Sequence, residues 1–308
     1  MDAGKSDPVV VWQNHRGRRV TQAGGYDVIA CETCGFCHVL PLPAPQELDQ
    51  AYREQYYQVE KPDYLVHAGE DRQWSELMHS DRLDIFEKLL EPGRRRLLDI
   101  GSGPGFFLKT AKTRGWQVLG IDPSRQAAAF ARGMDIDMVE GFFGADTAPK
   151  LGRFDAVHLN NVLEHVPDPA ALLTLARDVL SPGGLICINV PNDFTPFQTA
   201  GRTAIGAGEW WIVPPHHLNY FDFASAASLL ERLGFRVLER TTSFPMELFL
   251  MMGENYTDNP GIGRACHNKR KRFDLALEAA GPQTRRALYR ALAQAEIGRE
   301  VVLIAAAP

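Results

Sequence analysis

Short apolar runs alternate with stretches of helical pattern between residues 94 and 190. The pattern predicts strands at 96–100, 117–121, 154–159 and 185–190, and helices at 106–114, 124–132 and 169–180. Nearly continuous apolar strands separated by helices are typical of parallel βαβ units, whose sheets carry helices on both faces. The chain is therefore predicted to adopt an α/β fold with a doubly wound sheet, in which a ligand binds at the carboxyl ends of the strands.

Downstream of this region lies a long segment without a clear helix or strand, residues 191–221, which is rich in proline and aromatic side chains. A segment of this length inside a compact domain is usually functional, so we predict an inserted lid or substrate wall. A helix at 223–233 and a strand at 235–240 follow. A charged helical insertion is predicted at about 254–297, and a last strand at 300–305.

Two smaller parts precede the domain predicted for residues 94–308. Residues 46–93 show helical patterns at 46–57 and 74–90, and we predict a helical linker or lid. Residues 1–45 show no regular pattern and contain three of the five cysteines, so we predict a small irregular module. Such a cluster in a reducing compartment is more typical of a metal site than of disulfide bonds.

Composition excludes several classes of protein. The chain has 308 residues, of which 45% are apolar and 23% charged, as in globular rather than disordered proteins. Its net charge of −5 argues against a nucleic acid as the main partner, because phosphate binding relies on a surplus of Lys and Arg. No apolar run is long enough to span a membrane, and the first residues lack the apolar core of a signal peptide. We therefore expect a cytoplasmic protein with no membrane partner; the sequence does not indicate its oligomeric state.

A glycine-rich turn follows the first predicted strand of the α/β region, in the run Asp99-Ile100-Gly101-Ser102-Gly103-Pro104-Gly105. Glycines let the backbone approach a ligand closely, and the start of the next helix offers N–H groups. The dinucleotide fingerprint needs a third glycine at position 106, where this chain has Phe106, which argues against a nicotinamide-dependent oxidoreductase. Asp99 would repel a pyrophosphate and attract a cationic amino group.

The next predicted strand ends in an acid, Asp122, 17 residues after Gly105. A carboxylate at that position can accept hydrogen bonds from both hydroxyls of a ribose. Asp122 can also act as the N-cap of the helix that begins after Pro123 and Ser124, and the two roles are compatible.

Together these motifs resemble the class I S-adenosylmethionine-dependent methyltransferases, over roughly residues 94–240. Further matches are 154–157 at the fourth strand, 163–169 after it and 180–184 before the fifth. The resemblance implies a seven-stranded, mostly parallel sheet with an antiparallel last strand, which 300–305 suits, and S-adenosylmethionine as cofactor. We expect the cofactor to be held by Asp99, Gly101, Ser102, Gly103, Gly105, Asp122, Phe143 and Asn160.

The adenine site departs from the pattern of this family. Many members carry an acid after the third strand that binds the adenine amino group, whereas this chain has Glu140-Gly141-Phe142-Phe143-Gly144. Either Phe142 or Phe143 can sandwich the adenine ring, with the backbone serving its edge.

The N-terminal module contains a candidate structural zinc site. Cys31 and Cys34 form a C-x-x-C pair, and a closed tetrahedral site needs two further ligands. We predict His15, Cys31, Cys34 and His38, with Cys37 as the substitute ligand; unliganded reduced cysteines are the alternative. Methyl transfer needs no Lewis acid, so a catalytic zinc is not expected. A short irregular segment needs a cross-link to hold its fold, and a structural zinc is therefore favoured.

This module and the following Leu48, Tyr52, Tyr56 and Tyr57 resemble the zinc-binding N-terminal module of nucleotide-sugar C-methyltransferases. That family usually shows two C-x-x-C pairs, whereas this chain has one pair and histidines. The resemblance implies that a tyrosine such as Tyr57 lies near the substrate; a core aromatic on an amphipathic helix is the alternative.

Three histidines are candidates for the group that removes a proton from the methyl acceptor. His165 follows the fourth strand at the expected ligand edge, where a structural or cofactor-side role competes with that of a base. His216 and His217 precede Tyr220. The resemblance to sugar C-methyltransferases places His217 at the position of the base and His216 where that family has Glu. Packing of the predicted lid onto the sheet is the alternative for both.

The sequence therefore predicts a methyltransferase that uses S-adenosylmethionine on a small polar acceptor, by O- or C-methylation. A nucleotide-linked sugar or a secondary-metabolite intermediate is the favoured acceptor. The alternative is an RNA or protein methyltransferase, or a binding factor, in which the zinc module recognises the partner. Residues 1–45 carry balanced charge, which does not favour a nucleic acid.

Overall fold

An antiparallel sheet comes first in the chain. The computed structural model describes residues 8–44 and 69–308. Four strands follow one another in the first range: β1 (Val9–Trp12), β2 (His15–Ala23), β3 (Tyr26–Cys31) and β4 (Cys37–Leu40). The prediction of an irregular module was wrong for these residues, because β2 is mostly polar and alternates exposed with half-buried side chains, which weakens its apolar pattern. The predicted helix at 46–57 and Tyr57 lie outside the described residues.

Seven further strands form the central sheet. They are β5 (Arg96–Ile100), β6 (Gln117–Asp122), β7 (Met138–Glu140), β8 (Phe154–Asn160), β9 (Leu180–Pro191), β11 (Arg236–Thr241) and β12 (Glu300–Ala306). Their spatial order is β11-β12-β9-β8-β5-β6-β7, with β12 antiparallel to both of its neighbours and β5 to β9 parallel. The predicted seven-stranded, mostly parallel sheet is confirmed.

Helices cover both faces of this sheet. The helices within residues 69–308 are α1 (Arg72–Leu89), α2 (Phe106–Thr113), α3 (Arg125–Gly133), α4 (Pro169–Asp178), α5 (Pro196–Ile205), α6 (Phe223–Arg232), α7 (Glu247–Met251), α8 (Pro260–Ala280) and α9 (Pro282–Gln294). Successive residues of β5 point to opposite faces, so Leu97 packs in a core with α1 and α2, and Leu98 packs in a second core with α4 and α6. Apart from α5 and the short α7, these helices match predicted helical stretches.

The segment 191–221 is more regular than its sequence predicts. It contains α5 and a short strand, β10 (Asn219–Tyr220), which pairs with β4 and completes the N-terminal sheet. The expectation of a segment without helices was wrong because Pro196 lies at the first helical position, where proline favours a helix start. Thr195 and Gln198 form a capping box there.

The strand order reverses between β5 and β8. From β5 the chain continues through β6 to β7 on one side, and from β8 it builds the other side. A crevice opens where the two directions separate, at the carboxyl ends of β5 and β8. Within residues 8–44 and 69–308, no helix is long and apolar enough to cross a membrane.

Candidate functional site

A cavity of about 1160 Å³ lies at the carboxyl ends of β5, β6 and β8. Its lining includes seven of the eight predicted cofactor residues: Asp99, Gly101, Ser102, Gly103, Asp122, Phe143 and Asn160. The eighth, Gly105, is the N-cap of α2 with a φ of 78°, so it shapes the turn without facing the cavity. The fold thus brings the predicted cofactor residues together around one space.

The glycine turn is held against the end of β6. The N–H of Gly101 donates to the carbonyl of Ile121 at 2.8 Å, and its φ of +68° favours glycine. A Cβ atom at this position would lie 2.6 Å from Cγ2 of Val162, so the position also requires the absence of a side chain. The N–H of Gly103 donates to Oδ2 of Asp122 at 2.8 Å.

Asp122 closes this turn and is 6% exposed. Its Oδ1 accepts the N–H of Ser124 at 2.9 Å, and Ser124, rather than Asp122, is the N-cap of α3. Burial raises the pKa of Asp122 to about 6, against the lowering effect of the two backbone hydrogen bonds. Each carboxylate oxygen keeps a second lone pair, so the side chain can still accept hydrogen bonds from a ligand.

Asp99 belongs to a buried chain of polar groups that the sequence analysis did not find. Nη1 of Arg82, on α1, lies 3.0 Å from Nε2 of His158 and 2.9 Å from Oδ1 of Asn160. Because a guanidinium only donates, Nε2 of His158 accepts, and Nδ1 of the neutral ring carries the proton. That nitrogen donates to Oδ1 of Asp99 at 2.7 Å.

Burial governs the protonation of this pair. It raises the pKa of Asp99 well above its usual value, and the charge of Arg82 acts in the opposite sense. Burial also lowers the pKa of His158, and Arg82 adds to that effect. The neutral imidazole therefore bridges an acid and a cation, both of which line the cavity. The signal in the sequence was the pair His79 and Arg82, one turn apart on a helix whose neighbouring positions Leu83 and Phe86 are buried.

Both candidate adenine residues line the cavity. The ring of Phe143 is 9% exposed and belongs to the main core, whereas Phe142 is 39% exposed. Phe142 and Phe143 follow β7 directly, beside the end of β6 that carries Asp122. The choice of Phe143 stays a prediction.

His165 lies at the cavity, and the backbone of His216 and the ring of His217 lie beside it. Nδ1 of His165 lies 2.7 Å from the carbonyl oxygen of His216, so this nitrogen carries the proton and donates it. The ring centroids of His165 and His217 are 5.1 Å apart. Oε1 of the buried Glu164 lies 3.8 Å from Nε2 of His165. Of the three histidines, all within the described residues, only His165 is among the residues that line the cavity.

The four predicted zinc ligands lie together in the N-terminal sheet. His15, Cys31, Cys34 and His38 each offer one ligand atom within 4.8 Å of the others. Nδ1 of His15 is 3.8 Å from Sγ of Cys31 and 3.4 Å from Sγ of Cys34. Sulfur and nitrogen atoms on one tetrahedral zinc are about 3.6 Å apart at the usual bond lengths. Cys37 is absent from the cluster, because it and His38 are successive residues of β4 and point to opposite faces.

His38 has the surroundings expected of a metal ligand. Its Nδ1 donates to the carbonyl of Val39 at 2.9 Å, which leaves Nε2 as the nitrogen with a lone pair. Nε2 is buried and has no hydrogen-bond partner among the described residues.

Glu164, His165 and His217 form a second group that offers three ligand atoms within 4.8 Å of one another.

The predicted lid packs elsewhere. Trp211, Ile212, Leu218 and Tyr220 of segment 191–221 form a core with Val28 and Val39 of the N-terminal sheet. In the part of the chain that the structure describes, no residue of 191–221 is among those lining the cavity. A role as lid or substrate wall stays a prediction.

The sheet is doubly wound, and its last strand in the chain, β12, is antiparallel to its neighbours. With the glycine turn and the acid at the end of the second parallel strand, these features are typical of Rossmann-like nucleotide-binding folds. The profile of the family described as "Methyltransferase domain" matches residues 70–240, more than half of the chain. The chain belongs to this family and is an S-adenosylmethionine-dependent methyltransferase.

Named relatives agree with this class. A ubiquinone biosynthesis O-methyltransferase of Xanthomonas axonopodis pv. citri is 30% identical over 193 residues, 59% of this chain and 76% of the relative. Another, from Alkalilimnicola ehrlichii, is 38% identical over 104 residues, 32% of this chain and 42% of the relative.

Solved structures share the fold. A SAM dependent methyltransferase from Archaeoglobus fulgidus has a TM-score of 0.50 and 21% identity, covering 79% of this chain and 99% of that one. The plantazolicin methyltransferase BpumL in complex with SAH has a TM-score of 0.50 and 14% identity, covering 84% and 93%.

Proposed function

We propose that the enzyme binds S-adenosylmethionine in the cavity between β5, β6 and β8 and transfers its methyl group to a hydroxyl of a small acceptor. The observation that carries this proposal is that Asp99 and Asp122, from two adjacent strand ends, line the same cavity. One can serve the ammonium end of the cofactor and the other its ribose.

The cofactor's polar groups match the charges along the cavity. The carboxylate of Asp122 accepts hydrogen bonds from the ribose hydroxyls, and the glycine turn gives the ligand close access to the backbone. At the other end, Asp99 faces the ammonium of the methionine portion, and Arg82 is placed for its carboxylate. Asn160, held by Arg82 and by the side chain of Asn189 at 2.8 Å, completes that end. Phe142 or Phe143 stacks on the adenine.

Oxygen is favoured over carbon as the accepting atom. The chain has His216 where the resembled sugar C-methyltransferases have Glu, and the curated relatives carry the name O-methyltransferase. The cavity wall also holds several aromatic rings, including those of Trp74, Phe106 and Phe130. A secondary-metabolite intermediate with a ring hydroxyl therefore fits better than a nucleotide-linked sugar.

The transfer is an in-line displacement. The acceptor oxygen attacks the methyl carbon, the bond between carbon and sulfur breaks, and S-adenosylhomocysteine leaves. The acceptor's proton goes to a histidine at the rim. His217 is the favoured acceptor of this proton, as the resemblance to sugar C-methyltransferases implies. His165, 5.1 Å away between ring centroids, is the second candidate, because its Nδ1 donates to the carbonyl of His216 and its Nε2 can accept the proton.

Calorimetric titration with S-adenosylhomocysteine tests the cofactor assignment. We expect one binding event in the wild type and a loss of affinity in Asp99→Asn and in Asp122→Ala. A wild-type protein that is folded by circular dichroism and yet binds neither this product nor S-adenosylmethionine would sink the proposal.

The proton acceptor is tested separately, once screening of hydroxylated ring compounds has supplied a working acceptor. His217→Ala should lower turnover by about 100-fold, the usual contribution of a general base. The affinity for S-adenosylhomocysteine should stay within about twofold, because His217 does not line the cavity. Unchanged turnover in this variant would leave His165 as the base.

We also propose that His15, Cys31, Cys34 and His38 bind a structural zinc ion. Two thiolates and two imidazoles are a donor set that zinc prefers, and the orphaned Nε2 of His38 supports this assignment. When bound, the ion would join β2, β3 and β4 of a small sheet. No step of methyl transfer involves it.

A further inference from the structure

A buried asparagine joins the N-terminal sheet to the rim of the cavity. Asn219, on β10, is 2% exposed. The two N–H bonds of its amide donate to the carbonyls of Leu163 at 2.8 Å and Val166 at 2.7 Å. The turn between these carbonyls contains Glu164 and His165. Asn219 thus holds both ends of the turn that places His165 at the cavity.

The backbone beside Asn219 holds the middle of the same turn. The N–H groups of Leu218 and Asn219 donate to the carbonyl of Glu164 at 2.7 and 3.1 Å. His165 in turn donates from its ring to the carbonyl of His216. Five hydrogen bonds therefore connect residues 163–166 to residues 216–219.

The opposite edge of β10 reaches the four-ligand cluster. Asn219 lies directly across from His38 in the register of β10 and β4. The N–H of Val39 donates to the carbonyl of Leu218 at 2.9 Å, and the ring of His38 donates to the carbonyl of Val39. A candidate metal ligand and the rim turn are thus separated only by one short strand.

A second contact supports the same connection. Phe36 lies between Cys34 and the start of β4. Its ring packs against that of Phe221, with ring centroids 4.8 Å apart. Both rings are buried in the main core, which also contains Leu163 of the rim turn. The cluster cannot shift by itself without disturbing either β10 or this packing.

We propose that Asn219 is a positioning residue for methyl transfer, and that it makes the geometry of the 163–166 turn depend on metal at the His15–Cys31–Cys34–His38 cluster. The role of Asn219 in methyl transfer rests on the proposed function. Binding of zinc fixes β4, β4 fixes β10, and the amide of Asn219 fixes the turn. Loss of the metal loosens the turn although none of its residues is a ligand of the cluster.

The test is a thermodynamic cycle that needs no acceptor. Hydrogen exchange of the backbone N–H groups of residues 163–168, of which Pro167 has none, is measured in the full chain, with zinc and after chelation, for the wild type and for Asn219→Ala. We expect chelation to speed exchange at least about tenfold in the wild type, the scale of a local opening. In Asn219→Ala the exchange is already fast, and chelation adds little, because coupled changes are not additive.

Asn192 offers a matched control. Its buried amide also donates to two backbone carbonyls, those of Glu296 at 3.1 Å and Gly298 at 3.0 Å, rather than to the rim turn. Its bridge to Phe221 is made by the backbone, which the alanine variant keeps. In Asn192→Ala, chelation should speed exchange in 163–168 as much as in the wild type. The imidazole NMR signals of His165 should shift in Asn219→Ala and stay in place in Asn192→Ala.

Three results would overturn the inference: a wild type that takes up no zinc, unchanged exchange in 163–168 after chelation, or additive effects of chelation and Asn219→Ala. If Asn219→Ala does not fold, the same cycle is measured with Asn219→Ser. Titration of the same samples with S-adenosylhomocysteine keeps the two proposals apart, since absent binding counts against the function and leaves the exchange cycle intact.

Discussion

Burial makes the two acids of the cavity sensitive to protonation. Asp99 is 3% exposed and Asp122 6%, so water stabilises neither carboxylate well. The charge of Asp99 is partly compensated by the hydrogen bond from His158 and by the nearby Arg82. Among the described residues, Asp122 accepts hydrogen bonds only from backbone N–H groups. A ligand with a positive charge and hydroxyl groups supplies both acids with the cation and the hydrogen-bond donors that water does not provide there.

Cofactor affinity should therefore depend on pH. The pKa of Asp122 is raised to about 6, so the group is mostly protonated at pH 5 and ionised at pH 7.5. The protonated acid loses acceptor capacity, and we expect S-adenosylhomocysteine to bind roughly tenfold more weakly at pH 5, one unit below that pKa. Titration calorimetry at both values measures this change.

The same titration in Asp122→Asn isolates this side chain. Asparagine cannot ionise, so the affinity should be low at both pH values and its pH dependence smaller. The dependence that remains belongs to Asp99, whose pKa is also raised by burial. A variant with the full wild-type dependence would show that Asp122 is not the titrating group.

Arg82 should be a determinant of cofactor affinity. Its guanidinium donates to His158 and Asn160 and lines the cavity near Asp99. Arg82→Ala removes the cation proposed to face the cofactor's carboxylate and leaves Asp99 with only the neutral His158 as its partner among the described residues. We expect S-adenosylhomocysteine to bind about 100-fold more weakly, on the scale of one charged hydrogen bond. Arg82→Lys keeps the charge without the planar fork and should lie between; unchanged binding in the alanine variant would contradict the assignment.

At the scale of elements, a strand or helix could be predicted from the sequence when its own residues form a clear apolar pattern. Strands β5, β6 and β8 are short, mostly apolar runs, and their bounds were predicted within one residue. Strand β9 was predicted at 185–190 but begins at Leu180, because its first residues include the exposed Pro182 and Gly183. The strands of the N-terminal sheet were missed because that sheet is small and β2 is largely polar. The helix α5 was missed in a segment rich in proline, although Pro196 lies at the first helical position, where proline favours a helix start.

The site was predictable where the backbone itself requires a residue type. The glycine turn and Asp122 were found because a ligand needs close backbone access and a strand-end acid. Arg82 and Asn219 were not, because each acts across a contact between elements distant in sequence. The spacing of His79 and Arg82 indicates a shared face of α1, but no local spacing encodes which distant strand that face contacts.

The N-terminal sheet should contain zinc. Elemental analysis of the purified chain should find about one zinc per molecule, as four protein ligands require. Cys31→Ser removes a thiolate and should release the metal and lower the melting temperature. Cys37→Ser is the matched control, since Cys37 points away from the cluster and the variant should keep its zinc. Equal zinc content in both variants, or a folded wild type without metal, would rule the site out.

At the scale of the molecule, α1 connects the cavity to the C-terminal helices. One face of α1 brings His79 and Arg82 to the cavity. Another face presents Asp81 to Arg285 of α9, whose guanidinium donates to both carboxylate oxygens at 2.6 and 2.8 Å. Nε of Arg285 also donates to Glu278 of α8 at 3.0 Å. The proposed cofactor site and the C-terminal pair of helices thus share one helix.

Arg285 should be the main electrostatic contact between α1 and α9. Its side chain is 0% exposed and engages two carboxylates, so Arg285→Ala leaves both acids without their buried partner. Asp81 and Glu278 are 20% and 31% exposed, and Asp81 keeps its contact with Arg286, so we expect a cost of about 1.5–3 kcal/mol, the scale of a hydrogen bond to a charged group. The neighbouring Arg286 also donates to Asp81, at 2.8 Å, but is 31% exposed, and Arg286→Ala should cost about 1 kcal/mol or less. Urea unfolding of both variants measures the difference, and equal costs would show that burial at Arg285 does not strengthen this contact.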